Sequence, residues 1–186
     1  MTSAAHTQPA SELLTYDDLQ AEPDDGRRRE LIDGQLLVTP APIPLHQIAV
    51  ARLLALLLDT APVQLEVLPA PVDWKLTEHT VLEPDVLVTT AEDTQGKFLA
   101  VTPLLVVEVL SPSSRRIDLI LKRAVYEQAG VGRYWVIDPG VPSLDVFRLE
   151  GDGYLHIGRW EGEQAYTDTV PFEVKVIPAR LVGRRS

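Results

Sequence analysis

Two carboxylates stand where their neighbours argue against them. Glu108 is the fifth residue of Leu104-Leu105-Val106-Val107-Glu108-Val109-Leu110, and Asp85 heads Asp85-Val86-Leu87-Val88; both runs read as strand sequence buried on both faces. An ionised carboxylate in an apolar interior costs several kcal/mol unless it is paired, hydrogen-bonded or bound to a metal. Neighbouring strands lie about 4.8 Å apart, so the two acids could converge on one hard cation, and without a cation they would repel. Magnesium suits such a pair, because one or two carboxylates commonly hold it while waters and substrate phosphates fill the remaining positions. The plainer alternatives are a turn residue after Pro84 for Asp85, and for Glu108 a strand-end carboxylate bonded to a helix amine. In the next segment Asp118, Lys122 and Tyr126 recur at i, i+4, i+8 and share a helix face. A lysine there could hold the attacking water or a scissile phosphate and offset charge developing in the transition state. Its plainer alternative is an Asp118–Lys122 surface pair worth roughly a few tenths of a kcal/mol.

Elements must bring these residues together. Leu13–Leu19 suggests a short helix capped by Thr15, and Asp33-Gly34 between two strand-like arms signals a hairpin. Pro44 can open a helix so apolar (Ile48, Leu53, Leu54, Leu56, Leu57, Leu58) that it must be covered on more than one side. Gln64–Leu68, Val72–Leu76 and Val81–Thr90 read as strands. After Glu108, Ser111-Pro112-Ser113-Ser114 is a turn with a helix cap, and a helix runs from about Arg115 to Ala129, closed by Gly130. Tyr134–Asp138 is the next strand, and this strand, helix, strand succession implies a crossover packed on a sheet. Leu144–Leu149 and Tyr154–Trp160 flank Gly151-Asp152-Gly153 as an appended hairpin. The fold class is therefore α/β, a central mixed sheet flanked by helices. Residues 1–12 are expected to be a flexible terminus, and residues 13–186 one domain with its core at about 30–149 and a hairpin extension at 144–186.

Composition narrows the classes. The chain has 186 residues, 45% hydrophobic and 24% charged, which suits one soluble domain with a full core. It contains no cysteine, which excludes disulfides and thiolate zinc sites and fits a reducing compartment. No basic start precedes an apolar core, and Ile48–Leu58 is interrupted by Arg52 and shorter than the roughly 20 residues of a membrane span, so a cytoplasmic protein is expected. A net charge of −10 argues against gripping nucleic acid by bulk electrostatics. Residues 111–139 run the other way, with five Lys/Arg against three Asp/Glu, which on charge alone is a helix with a solvated basic face.

In order along the chain, "RRRELIDGQLLVTPAP", "LHQ", "EPDVLV" and "VVEVLSPSSRRIDLILKRAVYEQAGVGRYWVID" resemble the Uma-type family of restriction-endonuclease-like proteins, a branch of the PD-(D/E)XK nuclease superfamily. The resemblance runs from about residue 13 to 149. It implies a core of helix, three strands, helix and strand, with Mg2+- or Mn2+-dependent cleavage of phosphodiester bonds. Pro84-Asp85 then corresponds to the "PD" and Glu108 to the "(D/E)". Leu110 stands where the superfamily usually has its lysine, and Lys122 on the following helix would replace it. The resemblance also makes Glu30 an accessory ligand or water-orienting group, against the alternative of a hairpin residue countering Arg27–Arg29. His46 matches too, though a histidine near a helix start is more often a cap or hydrogen-bond partner. The backbone carbonyl of Val109 would be a further metal donor, and Arg115, Arg116 and Arg123 would meet the nucleic-acid backbone. The expected function is an endonuclease acting on nucleic acid, with DNA the expected substrate. The alternatives are a degenerate scaffold for protein association or transposon-linked regulation, and a small-molecule phosphodiesterase using the same metal pair. A homodimer is expected through Leu144–Trp160, with Phe147, Tyr154 and Trp160 as an exposed apolar patch.

Overall fold

Asp33 and Gly34 both have positive φ, 49° and 73°, as a primed turn requires, and they join β1 (Arg28–Ile32) to β2 (Gln35–Thr39) as an antiparallel hairpin. The computed structural model describes residues 13–23, 25–111, 115 and 117–183, the side chain of Asp118 excepted. The expected flexible terminus, Arg116 and the turn residues Pro112-Ser113-Ser114 lie outside the described residues. Helix α1 (Tyr16–Ala21) begins at a capping box between Thr15 and Asp18.

The run from Val81 to Thr90 is two strands, where the sequence suggested one. β5 (Thr80–Leu82) pairs with β1 and with β4 (Trp74–Thr77), completing a four-stranded sheet ordered β2-β1-β5-β4. β6 (Val86–Thr90) pairs with β3 (Leu65–Pro69) in another sheet. Pro84 accounts for the break, since it offers no N–H to a ladder and restricts the residue before it. Glu83-Pro84-Asp85 therefore carries the chain from one sheet to the other.

The second sheet continues with β7 (Leu105–Val109), β8 (Arg133–Asp138), β9 (Ser143–Glu150) and β10 (Gly153–Glu161), in the order β10-β9-β8-β7-β6-β3. β7 and β8 are parallel and the other pairs antiparallel, so the sheet is mixed, as expected. The crossover between β7 and β8 contains a π-helical stretch, Ile117–Lys122, that continues as α3 (Arg123–Gln128). The sequence suggested a regular α-helix here. The wider winding ends at Lys122, in keeping with the tendency of such segments to sit at functional sites. Gly130, at φ 80°, ends the helix as anticipated.

Each face of the six-stranded sheet carries its own core. On one face α2 (Pro44–Thr60) packs Ala49, Val50, Leu53 and Leu57 against Val86, Val88, Val107 and Val109. The same layer includes β11 (Tyr166–Asp168), β12 (Val174–Val176) and α4 (Pro178–Val182), which were not anticipated beyond the expected hairpin. As expected, α2 is covered on more than one side, by the sheet and by α4, while Ile48 at 41% and Leu58 at 53% stay exposed. On the other face Leu87, Val106, Leu110 and Val136 meet Tyr126 of α3, Trp74 of β4 and Ile32 of β1. α1 seals the outside of the four-stranded sheet through Tyr16, Leu19, Leu31 and Val81.

The anticipated dimer patch is absorbed by the fold itself. Phe147 is buried, Tyr154 donates its hydroxyl to the Val131 carbonyl at 2.9 Å, and the Trp160 ring lies 4.3 Å from that of Tyr166. Leu155 and Ile157 are the exposed apolar residues of β10. Among the described residues no helix is long and apolar enough to cross a membrane.

Candidate active site

Strand alternation delivers the acids. Val107 and Val109 face α2, so Glu108 between them faces the other way, into the layer between the two sheets. Asp85 lies one step beyond the Val86–Val107 pair and hence opposite Glu108. On β1, Leu31 packs towards α1, which turns Glu30 and Arg28 inwards with Ile32. His46 enters from the first turn of α2, and Lys122 and Tyr126 come from the crossover helix. These elements enclose a cleft of about 370 Å³ lined by Arg28, Glu30, His46, Asp85, Glu108 and Lys122 among others, with Glu83 on its wall.

Every one of these charged groups has a partner. Asp85 Oδ1 accepts from Arg28 Nη2 at 2.8 Å, and Oδ2 from the Val109 N–H at 2.8 Å and from His46 Nε2 at 3.1 Å. Lys122 Nζ lies 2.9 Å from Glu30 Oε1 and 3.2 Å from Glu108 Oε1. Glu30 Oε1 also accepts the Glu83 N–H at 2.8 Å, and Tyr126 donates to Glu108 Oε1 at 2.5 Å. Behind Tyr126 stand the rings of Trp74 and Tyr134, at 5.8 and 5.2 Å. Glu30, Asp85, Glu108 and Lys122 are each at most 2% exposed, so their attractions act in a low-dielectric setting.

Burial pushes the Asp85 carboxyl up, yet the His46 hydrogen bond and the Arg28 charge outweigh it and hold the group well below the usual carboxylate range. Glu83 is the opposite case: burial dominates, and its carboxyl is raised to about 7 despite Arg28. Burial pulls Arg28 down, but Asp85, Glu108 and Glu30 more than reverse that and keep it charged. Tyr126 is raised by burial and then by Glu108 and Glu30, so it stays a neutral donor.

The structure thus brings together Asp85, Glu108, Lys122 and Glu30, with His46 as hydrogen-bond partner to Asp85. The plainer reading of Glu108, a carboxylate bonded to a helix amine, is also realised, and that amine is Lys122. An exposed Asp118–Lys122 pair is excluded by the burial of Lys122, and Glu30 is no exposed hairpin residue. Val109 contributes its N–H to Asp85, and in a strand the carbonyl of the same residue points to the same edge. Arg115 pairs with Asp138 at 2.6 Å and is half exposed, while Arg123 lies over the Phe147 ring of β9, two strands from Glu108. Sequence reasoning missed Arg28 and Glu83. Glu83 adjoins the Pro84-Asp85 motif and Arg28 is two residues from Glu30 on one strand face, which was the available signal.

Among the described residues, no group of three or more His, Cys, Asp or Glu side chains is arranged to hold a metal ion. Four carboxyls (Glu30, Glu83, Asp85, Glu108) nevertheless face two cations, the partly buried Arg28 and the buried Lys122, and Arg27 at the mouth is tied to Asp25. Glu30 Oε2 is buried with no hydrogen-bond partner. An excess of negative charge and an unsatisfied oxygen are what a cation would relieve, so the residues fit one.

The model of the Uma2 family, described as "Putative restriction endonuclease", matches residues 13–178. The chain belongs to the Uma2 family. The Uma2 fold has a solved counterpart in the crystal structure of a "putative nuclease belonging to DUF820" from Anabaena variabilis, with a TM-score of 0.77. That alignment covers 91% of this chain and 97% of the other at 16% identity, and what it shares with this Uma2 chain is the fold. No curated protein matches the chain.

Proposed function

We propose that the cleft is a divalent-metal-dependent phosphodiester hydrolase site acting on nucleic acid, with DNA as the substrate. The observation that carries this reading is the convergence of Asp85, Glu108, Glu30 and Lys122, from four different segments of the fold, in one cleft with more carboxyls than cations. Asp85, Glu108 and the Val109 carbonyl would hold Mg2+ or Mn2+. When bound, the ion supplies Lewis-acid polarisation of a phosphate oxygen and an acidified water. The chain does the rest. His46 and the Val109 N–H orient Asp85, Tyr126 orients Glu108, and Glu30 holds Lys122 beside the reacting phosphate, where its charge offsets charge building on the oxygens. Arg115, Arg116 and Arg123 would meet the backbone of the nucleic acid. A homodimer, if formed, would use the exposed Leu155 and Ile157 of edge strand β10. The absence of cysteine goes with a reducing, cytoplasmic setting.

The second reading, a degenerate scaffold, is favoured by one feature: Asp85 is already satisfied by protein donors on both oxygens. Calorimetric titration with Mn2+ separates the two. The hydrolase reading expects binding that is lost in Asp85→Asn and in Glu108→Gln, whereas a folded wild type with no affinity for Mn2+ or Mg2+ would defeat it. Plasmid DNA assayed beside bis(4-nitrophenyl) phosphate then decides the substrate class; turnover of the small ester alone would indicate a small-molecule phosphodiesterase.

A further inference from the structure

Asp85, read above as a metal holder, already carries a cation. Arg28 Nη2 sits 2.8 Å from Asp85 Oδ1, and its Nε lies 3.8 Å from Glu83 Oε2. The other oxygen, Oδ2, is committed to His46 and the Val109 N–H. An ion arriving from the cleft therefore meets Arg28 at Oδ1, and two cations repel strongly where little water screens them. Arg28 has a way out and Lys122 has none. The Arg28 side chain is 22% exposed and lines the cleft beside Gly26 and Arg27, whereas the Lys122 side chain is 3% exposed and fixed between Glu30 and Glu108. Buried carboxylates also need a counter-charge whenever no ion is bound, or the cleft would be unfavourable to form.

We propose that Arg28 is the resident counter-cation of the cleft, occupying the Asp85 Oδ1 position in the metal-free chain and exchanging with the divalent ion, which turns the guanidinium towards the cleft mouth. This rests on the metal-dependent reading of the site. Arg28 and the ion then compete for one carboxylate, so ion affinity is set partly by the strength of the Arg28–Asp85 pair. The fold, for its part, stays assembled without metal.

Two measurements test the exchange. In Mn2+ titrations followed by calorimetry, Arg28→Gln is expected to bind at least tenfold tighter than wild type, and Mn2+ should raise its melting temperature more than it raises that of wild type. Equal or weaker binding by the folded variant overturns the proposal. The wild-type chain provides the arm that no folding defect can spoil: phenylglyoxal modification mapped by mass spectrometry should rise severalfold at Arg28 when Mn2+ replaces EDTA. Unchanged or reduced reactivity at Arg28 overturns the exchange. Mn2+ binding by neither folded protein removes the metal reading and this proposal together, whereas tight binding indifferent to Arg28 removes this proposal alone.

Discussion

Asp85 accepts from three donors while almost fully buried, so its removal leaves charges without partners. Asp85→Asn should cost about 3 kcal/mol of stability in EDTA, the range for breaking one side of a buried pair, measured as a shift in the urea midpoint. Lys122→Ala should lower cleavage by about 10² or more without weakening Mn2+ binding, the pattern of a lost charge stabiliser; full activity would leave catalysis to the carboxylates and the ion alone. Lys122→Arg should recover only part, because a guanidinium is larger and spreads its charge. Glu83 sets a pH dependence. Its carboxyl is raised from 4.5 to about 7, so the folded chain holds this proton more tightly than the unfolded one. The resulting stability is fully present below pH 4.5 and lost as pH rises through 7. In EDTA the wild type should lose at most about 3 kcal/mol between pH 5 and 8, and Glu83→Gln should flatten that slope. A slope identical in Glu83→Gln would assign it to another group.

Among the elements, those with a strong local signal were legible in the sequence. The primed turn at Asp33-Gly34, the Thr15 cap, the apolar β7 run and the Gly130 stop each rest on chemistry within a few residues. Legibility failed where partners are distant. Nothing local to 81–90 says that its halves join different sheets, although Pro84 hinted at it, and β11, β12 and α4 are too short for periodicity to announce. The site divides in the same way. Asp85 and Glu108 were visible as charges in apolar runs, whereas Arg28 lies among surface-like arginines and shows its role only when the fold brings β1 up to Asp85. The layer of α2 and the C-terminal elements should carry much of the stability: Leu53→Ala is expected to cost 2–5 kcal/mol in urea unfolding while leaving Mn2+ affinity unchanged. Leu110 shares the Glu108 face and is buried among Tyr126 and Val136. Adding Leu110→Lys to Lys122→Ala should therefore restore some cleavage at a further loss of stability, and no restoration would show that the strand position cannot reach the phosphate.

As a whole the molecule is acidic, with a net charge of −10, so attraction to DNA must be local. If only Arg115, Arg116 and Arg123 neutralise phosphates, the logarithm of duplex affinity should fall against the logarithm of salt with a slope of about −3. A much steeper slope would mean a larger basic footprint than these residues provide. The central claim is that Asp85 and its cleft cut phosphodiester bonds with a bound ion. It is tested most directly by incubating supercoiled plasmid with Mn2+ and either wild type or Asp85→Ala, both verified as folded. The account predicts nicked or linear product from wild type, none when EDTA is added, and none above background from Asp85→Ala. Equal cleavage by the two proteins, or none by a wild type shown to have Mn2+ bound, would contradict it.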